Sequence, residues 1–172
     1  AASRSKVEPG RDRFRVLYAG TVGMSQGGDT LIDAATLLAR DDEIEIVIAG
    51  DGAEAPAVRK RLAAGSLGHA RMLGGVAQER VAELYAEADA AVVLLRDRPL
   101  FRGALPTKLL EAMSAGRPVV ISAAGESADL VAETASGVVV PPESPDELAK
   151  ALASLARDPE RAKRLGTAGR RA

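Results

Sequence analysis

Along the chain, short uninterrupted apolar runs alternate with stretches whose apolar positions recur every three or four residues. Phe14 to Ala19 is the first run, and a glycine-rich loop follows it. Leu31, Ile32, Ala35 and Leu38 then repeat at helical spacing, with Asp29 as the expected N-cap. Ile44 to Ala49 predicts a second strand ending in Gly50-Asp-Gly52, and Pro56 opens a helix that reaches about Gly65. Ala70 to Leu73 is a short strand, Val81, Leu84, Tyr85 and Ala88 mark a helix, and Ala90 to Leu95 is another apolar run. The next helix opens at Pro106 and ends at Ala115, with Gly116 at C′ and Pro118 just beyond. Val119 to Ser122 and Gly137 to Val140 read as strands flanking a helix from about Glu126 to Thr134. Ser144-Pro-Asp-Glu147 reads as a capping box ahead of Leu148, Leu152 and Leu155, and a basic helix runs from about Pro159.

Strands that are apolar on both sides belong in a parallel sheet covered by helices on both faces. The expected fold is therefore α/β: a doubly wound, Rossmann-like, six-stranded parallel sheet. Such sheets bind ligands beyond the carboxyl ends of their strands, near the point where strand order reverses. Residues 13–172 make one expected domain, and residues 1–12 an expected linker.

Composition narrows the chemistry. With two Phe, two Tyr and no Trp, packing falls to Ala, Val, Leu and Ile. The absence of cysteine excludes disulfides, thiolate nucleophiles and zinc–sulfur sites. The single histidine, His69, is expected to be a surface or loop residue and builds no metal cluster alone. A formal net charge of −1 provides no global field for nucleic acid. No apolar run is long enough to span a bilayer, and residues 1–10 lack the apolar stretch of a signal peptide, so a cytoplasmic location is expected.

Candidate chemistry lies in the loops after strands. Gly20-Thr-Val-Gly-Met-Ser-Gln-Gly-Gly28 allows backbone amides to approach an anion ahead of a helix N-terminus. It matches neither the dinucleotide fingerprint nor the Walker loop, and a plain tight turn explains it equally well. Gly50-Asp-Gly52 reads first as a turn requiring positive φ. The richest loop follows Leu95, where Arg96, Arg98 and Arg102 place three guanidinium groups ahead of Gly103-Ala104-Leu105 and the helix at Pro106. Lys108 occupies the first turn of that helix, where a cation is unfavourable without an anion nearby, and Glu111 follows on the same side. Lys108 and the helix amides suit a diphosphate, and the Glu111 carboxylate suits a pair of ribose hydroxyls. An ordinary surface ion pair between the two is the competing reading.

Four segments together resemble the C-terminal domain of glycosyltransferase family 4, a set of retaining GT-B enzymes. They are Ile46-Val-Ile-Ala-Gly-Asp-Gly52, Leu84-Tyr-Ala-Glu-Ala-Asp-Ala90, Leu110-Glu-Ala-Met-Ser-Ala-Gly-Arg-Pro-Val-Val120 and Gly137-Val-Val-Val-Pro-Pro142. The resemblance runs from about Phe14 to Arg171. It implies a domain that binds the nucleotide-sugar donor, while a separate N-terminal domain binds the acceptor, so this chain alone is expected to be inactive. It identifies Glu111 with the ribose-holding second glutamate of the Glu-x7-Glu motif. It assigns backbone contacts with sugar and phosphate to Gly103, Ala104 and Leu105, and main-chain reading of the base to Val76.

The departures from that pattern are specific. Gly103 stands where the motif's first glutamate belongs. Thr21 replaces the arginine after the first strand, and Gln26 the lysine before the first helix, so two cations that meet the diphosphate are missing. The loop Gly20-x-x-Gly23-x-x-Gln26-Gly27 and the Pro106-x-Lys108 sequence resemble a fucosaminyltransferase-like branch of bacterial polysaccharide synthesis. Thr21, Gly23, Gln26 and Gly27 then become expected donor contacts, with Lys108 and Arg102 supplying the positive charge. The chain has no Asp-x-Asp pair, so no metal or cofactor is expected, and UDP is the expected carrier. Two other readings stand beside this one: one half of a nucleotide-sugar epimerase, and a non-enzymatic nucleotide-sensing module. The basic face of the last helix, with Arg161, Lys163, Arg164, Arg170 and Arg171, is a solvated surface, a docking face for the other domain, or a site of peripheral membrane association.

Overall fold

Six of the apolar runs pair side by side, all parallel, in the computed structural model, which describes residues 13–65 and 67–172. The expected linker lies outside the described residues. The strands are β1 (Phe14–Ala19), β2 (Ile44–Ala49), β3 (Ala70–Gly74), β4 (Ala90–Leu94), β5 (Val119–Ser122) and β6 (Gly137–Val140). Their order in the sheet is β3-β2-β1-β4-β5-β6, so the direction of winding reverses between β1 and β4. The helices between and after them are α1 (Gly28–Leu37), α2 (Ala55–Ala64), α3 (Gln78–Glu87), α4 (Thr107–Ser114), α5 (Glu126–Glu133), α6 (Pro145–Arg157) and α7 (Pro159–Arg171). The expected six-stranded, doubly wound fold is the one observed.

Strand alternation divides the core into two layers. Val16, Tyr18, Ile44, Ile46 and Ile48 pack against Leu31, Ile32, Val58, Leu148 and Leu152 of α1, α2 and α6. Leu17, Ala19, Val47, Val93 and Ile121 face the other way, onto Leu84, Leu109, Met113 and Val131 of α3, α4 and α5. Both faces of the sheet are buried, which is why the strands read as continuous apolar runs. Helix α7 approaches α4 closely because Gly166 lacks a side chain: a Cβ there would lie 2.2 Å from the Gly116 carbonyl oxygen.

Two local expectations are corrected and a third is sharpened. Helix α1 begins one residue before Asp29; its N-cap is Gly27, held in the left-handed region at φ 62°, and Asp29 turns outward to Arg96. Ser144 does precede α6, but its hydroxyl caps no backbone N–H; at φ −116°, ψ 87° it lies outside the extended geometry that aims such a cap. His69 lies in a turn, as the loop alternative expected, but it is buried, with Nε2 2.9 Å from the Ala35 carbonyl oxygen. It immediately precedes β3, so it ties α1 to the amino-terminal edge of the sheet.

Candidate functional site

The loops that leave β1, β2 and β3 are tied together at the carboxyl edge of the sheet. Gly20 donates its N–H to Ala49 O at 2.8 Å, Gly50 to Gly74 O at 2.8 Å, and Val22 to Asp51 O at 3.0 Å. A Cβ at Gly50 would lie only 1.8 Å from Gly20 O, so this glycine permits a close backbone approach rather than a turn of positive φ. Gly52 does take the positive φ expected of this turn, at 152°, and a Cβ there would also lie 2.5 Å from Val22 O.

Between the β1 loop and the start of α4 is a cavity of about 330 Å³, bounded by Gly20, Thr21, Gln26, Gln78, Lys108 and Glu111, among others. A more apolar groove of about 450 Å³ between α3 and α4 shares Gln78 and Glu111 with it and continues past Tyr85 and Leu110. The two hollows meet at Glu111, whose Oε1 accepts from Gln78 Nε2 at 3.3 Å. Of the sequence candidates, the structure brings Thr21, Gln26, Lys108 and Glu111 together on one cavity.

Lys108 dominates this cavity. It is half-buried, and among the described residues no carboxylate forms an ion pair with it, so the competing reading of a Lys108–Glu111 surface pair does not hold. Its Nζ donates to Tyr18 Oη at 2.9 Å and lies 4.3 Å from the centre of the Tyr18 ring. Burial lowers its pKa to about 8, against a smaller upward pull from Glu111. A half-buried ammonium without a counter-ion, beside the exposed amides of a helix N-terminus, is a receptor for an anion.

The remaining candidates do not line this cavity. Arg96 turns away, donating from Nε to Met24 O at 2.6 Å and reaching Asp29 at 3.1 Å, Glu54 at 3.4 Å and Glu143 at 3.2 Å. Arg102 pairs with Asp97 at 3.1 Å. Arg98 donates to Asp97 O at 2.9 Å and lies 3.8 Å from Glu143, so the three arginines are spent on neighbouring groups and on pinning the β1 loop, and among the described residues they form no cationic cluster facing the cavity. Gly23 lies beneath the Gln26 side chain, whose Oε1 would be 3.1 Å from a Cβ there. That Oε1 is buried and lacks a hydrogen-bond donor among the described residues. Gly27 serves as the α1 cap. Val76 and Ala104 pack on the second core layer, and Leu105 is exposed. Gly103 is also exposed, and the Oε1 of Glu126, at the start of α5, lies 3.8 Å from where its Cβ would be.

Three residues at the site were not predicted: Tyr18, Tyr85 and Gln78. A tyrosine at the end of a buried strand in a chain with only two was the available signal for Tyr18. Gln78 is the first residue of α3, which the apolar period placed only from Val81 onward.

A family model for glycosyl transferases group 1 matches residues 1–172. The chain belongs to the group 1 glycosyl transferases. The D-inositol 3-phosphate glycosyltransferase of Geodermatophilus obscurus is 35% identical over 169 residues, covering 91% of this chain and 36% of the relative. A GDP-mannose-dependent alpha-(1-6)-phosphatidylinositol monomannoside mannosyltransferase of Mycobacterium tuberculosis is 34% identical over 149 residues, 84% of this chain and 39% of that protein. The chain thus spans well under half the length of these relatives. Among solved structures, sucrose-phosphate synthase of Thermosynechococcus elongatus superposes with a TM-score of 0.80 at 28% identity, over 94% of this chain and 40% of that one. Anabaena Alr3699/HepE in complex with UDP and glucose gives 0.78 at 22% identity, over 95% and 44%, a likeness of fold. In this group 1 domain, no helix among the described residues is long and apolar enough to cross a membrane.

Proposed function

We propose that this domain holds the nucleotide-sugar donor of a retaining, metal-independent sugar transfer, with UDP as the carrier and a glycan or lipid-linked acceptor. The observation that carries the reading is the Lys108 ammonium, half-buried without a carboxylate partner, at the N-terminus of α4 and the point where strand order reverses. A diphosphate fits beside it, where the first-turn amides and the cation offset the charge that develops on the leaving group. Thr21 and Gln26 complete the wall, in the places where the cations of the wider family are absent. The ribose then falls to Glu111, and the α3–α4 groove beyond it receives the far end of the ligand.

Support for a nucleoside diphosphate comes from family membership and from the named ligands of similar proteins, GDP-mannose in one relative and UDP in one neighbour. The loop Gly20-x-x-Gly23-x-x-Gln26-Gly27 with Pro106-x-Lys108 places the chain, in this proposal, in the fucosaminyltransferase-like branch. The acceptor belongs to a second, N-terminal domain, consistent with the short span of this chain within its relatives. Of the two competing readings, an epimerase half needs proton-transfer groups at the sugar. The only histidine is tied to Ala35 at the opposite edge of the sheet, which disfavours it.

Glu111 supplies the direct test of ligand orientation. Glu111→Gln keeps the shape but loses the charge that strengthens two hydroxyl hydrogen bonds. UDP affinity falls about fivefold, the equivalent of roughly 1 kcal/mol. Binding of 2′,3′-dideoxy-UDP does not change, because the missing hydroxyls leave nothing for the carboxylate to accept. Equal losses for both ligands, measured by calorimetry, place the ribose elsewhere.

A further inference from the structure

Both tyrosines of the chain are committed to a single lysine. Tyr18 is the penultimate residue of β1 and belongs to the core layer under α1, α2 and α6. Tyr85 lies on α3 in the opposite layer. Tyr85 Oη donates to the Lys108 carbonyl oxygen at 3.1 Å, which holds the first turn of α4 from below. Tyr18 takes the other end: its Oη accepts from Lys108 Nζ at 2.9 Å.

The direction of that second bond is fixed by a third. Tyr18 Oη donates its only proton to Thr21 O at 2.6 Å, so only lone pairs remain for the ammonium. Burial raises both phenols far above their ordinary range, so each stays a neutral hydroxyl and neither becomes a counter-ion. Between the anchors, the lysine arm passes over Gly20. A Cβ at Gly20 would lie 3.0 Å from Lys108 Cε and 3.2 Å from Nζ, and at φ 127° a side chain there is strained as well. The missing side chain is what allows the arm to cross the sheet edge.

We propose that Tyr18 and Tyr85 are positioning residues that hold Lys108 across the end of β1, with its free N–H groups turned to the cavity as a preformed receptor for the donor diphosphate. This rests on the reading of the site as a donor pocket. The ammonium has three N–H groups and Tyr18 takes one, so two are left for phosphate oxygens. A loose lysine on a four-carbon arm would have to be ordered at binding; this one is ordered beforehand. The other groups bearing on the pair are Glu111 on α4, Gln78 on α3, and Glu54, whose charge acts on Tyr18.

Two measurements on the folded chain test this. The first uses no ligand: the Lys108 Cε–Hε resonance is titrated by NMR. Tyr18→Phe removes an acceptor from the charged form, so the Lys108 midpoint falls by about half a unit. An unchanged midpoint overturns the proposal. The second is calorimetry with UDP and GDP. Tyr18→Phe weakens the diphosphate that binds by about threefold, and the effect disappears in a Lys108→Met background. The same loss in both backgrounds assigns Tyr18 a merely structural role and also overturns it. If neither diphosphate binds the unaltered chain while the NMR midpoint still moves, the donor-pocket reading fails and so does the receptor, leaving Tyr18 as an anchor only. Tyr85→Phe repeats both tests, with a smaller expected shift because it grips the backbone.

Discussion

Replacing Lys108 with alanine weakens nucleoside diphosphate binding at least about tenfold, the loss of one charge-assisted contact to phosphate at roughly 1.5–3 kcal/mol. The same change does not unfold the domain. In the unliganded protein Lys108 is a half-buried cation without a carboxylate partner, and removing it removes a desolvation cost. Affinity and stability therefore move in opposite directions, or stability stays level, as calorimetry and urea melts of one variant show. A loss of both together contradicts the assignment.

The lowered lysine also fixes how binding depends on pH. With a free-state pKa of about 8, Lys108 is charged below that value and increasingly neutral above it. A bound diphosphate favours the charged form and raises the value again. Between the two values each binding event takes up a proton, so affinity falls as pH rises above about 8, approaching tenfold per unit. Stability of the empty domain runs the other way. From about 8 up to the ordinary lysine value the unfolded chain holds more protons than the folded one, so this group's contribution to stability rises with pH. Lys108→Ala abolishes both dependences, and a variant that keeps the wild-type pH profile places the titrating group elsewhere.

Gly50→Ala is the largest expected effect on the fold. Its new methyl carbon would lie 1.8 Å from the Gly20 carbonyl oxygen, a backbone atom that cannot rotate aside. Gly20 is fixed by its bond to Ala49 O, and Gly50 by its bond to Gly74 O, both at 2.8 Å. Relief requires β1 and β2 to part at their carboxyl ends, directly beneath the Lys108 arm. The cost is about 3 kcal/mol, the upper end of what overpacking exacts, and it appears as a lower urea midpoint with loss of nucleotide binding. Gly68 is the internal control: a Cβ there meets nothing within 4 Å, so Gly68→Ala leaves the midpoint nearly unchanged. Equal midpoints for the two variants contradict the close approach described for the strand ends.

The sheet was legible because burial on both faces leaves an unmistakable mark: Ile44 to Ala49 and Ala90 to Leu94 are apolar at every position but Glu45. Helix α4 was legible from Pro106 at one end and Gly116 at the other, the latter at φ 69°. What sequence spacing hid were contacts between distant residues. Arg96 is neutralised by Asp29, Glu54 and Glu143, which come from three separate segments, so its loop looked more cationic than it is. His69 was hidden in the same way, since its partner is a backbone carbonyl 34 residues earlier. Asp29 lost the cap because two glycines before it allow a left-handed turn that ends in the helix without help from a side chain. Tyr18 and Tyr85 sit at positions the apolar period assigns to the core, and they are indeed buried; only the direction of their hydroxyls makes them part of the site. Lys108 and Glu111, by contrast, were readable from their place in the first turns of a capped helix.

The most direct measurement is calorimetric titration of this chain with UDP, GDP, TDP and ADP at pH 7 and again near pH 9. A donor domain of the kind proposed binds UDP in preference to the other three, more weakly at the higher pH, and loses that binding in Lys108→Ala. Binding of none of the four, or binding that survives both the rise in pH and the loss of Lys108, contradicts the site described.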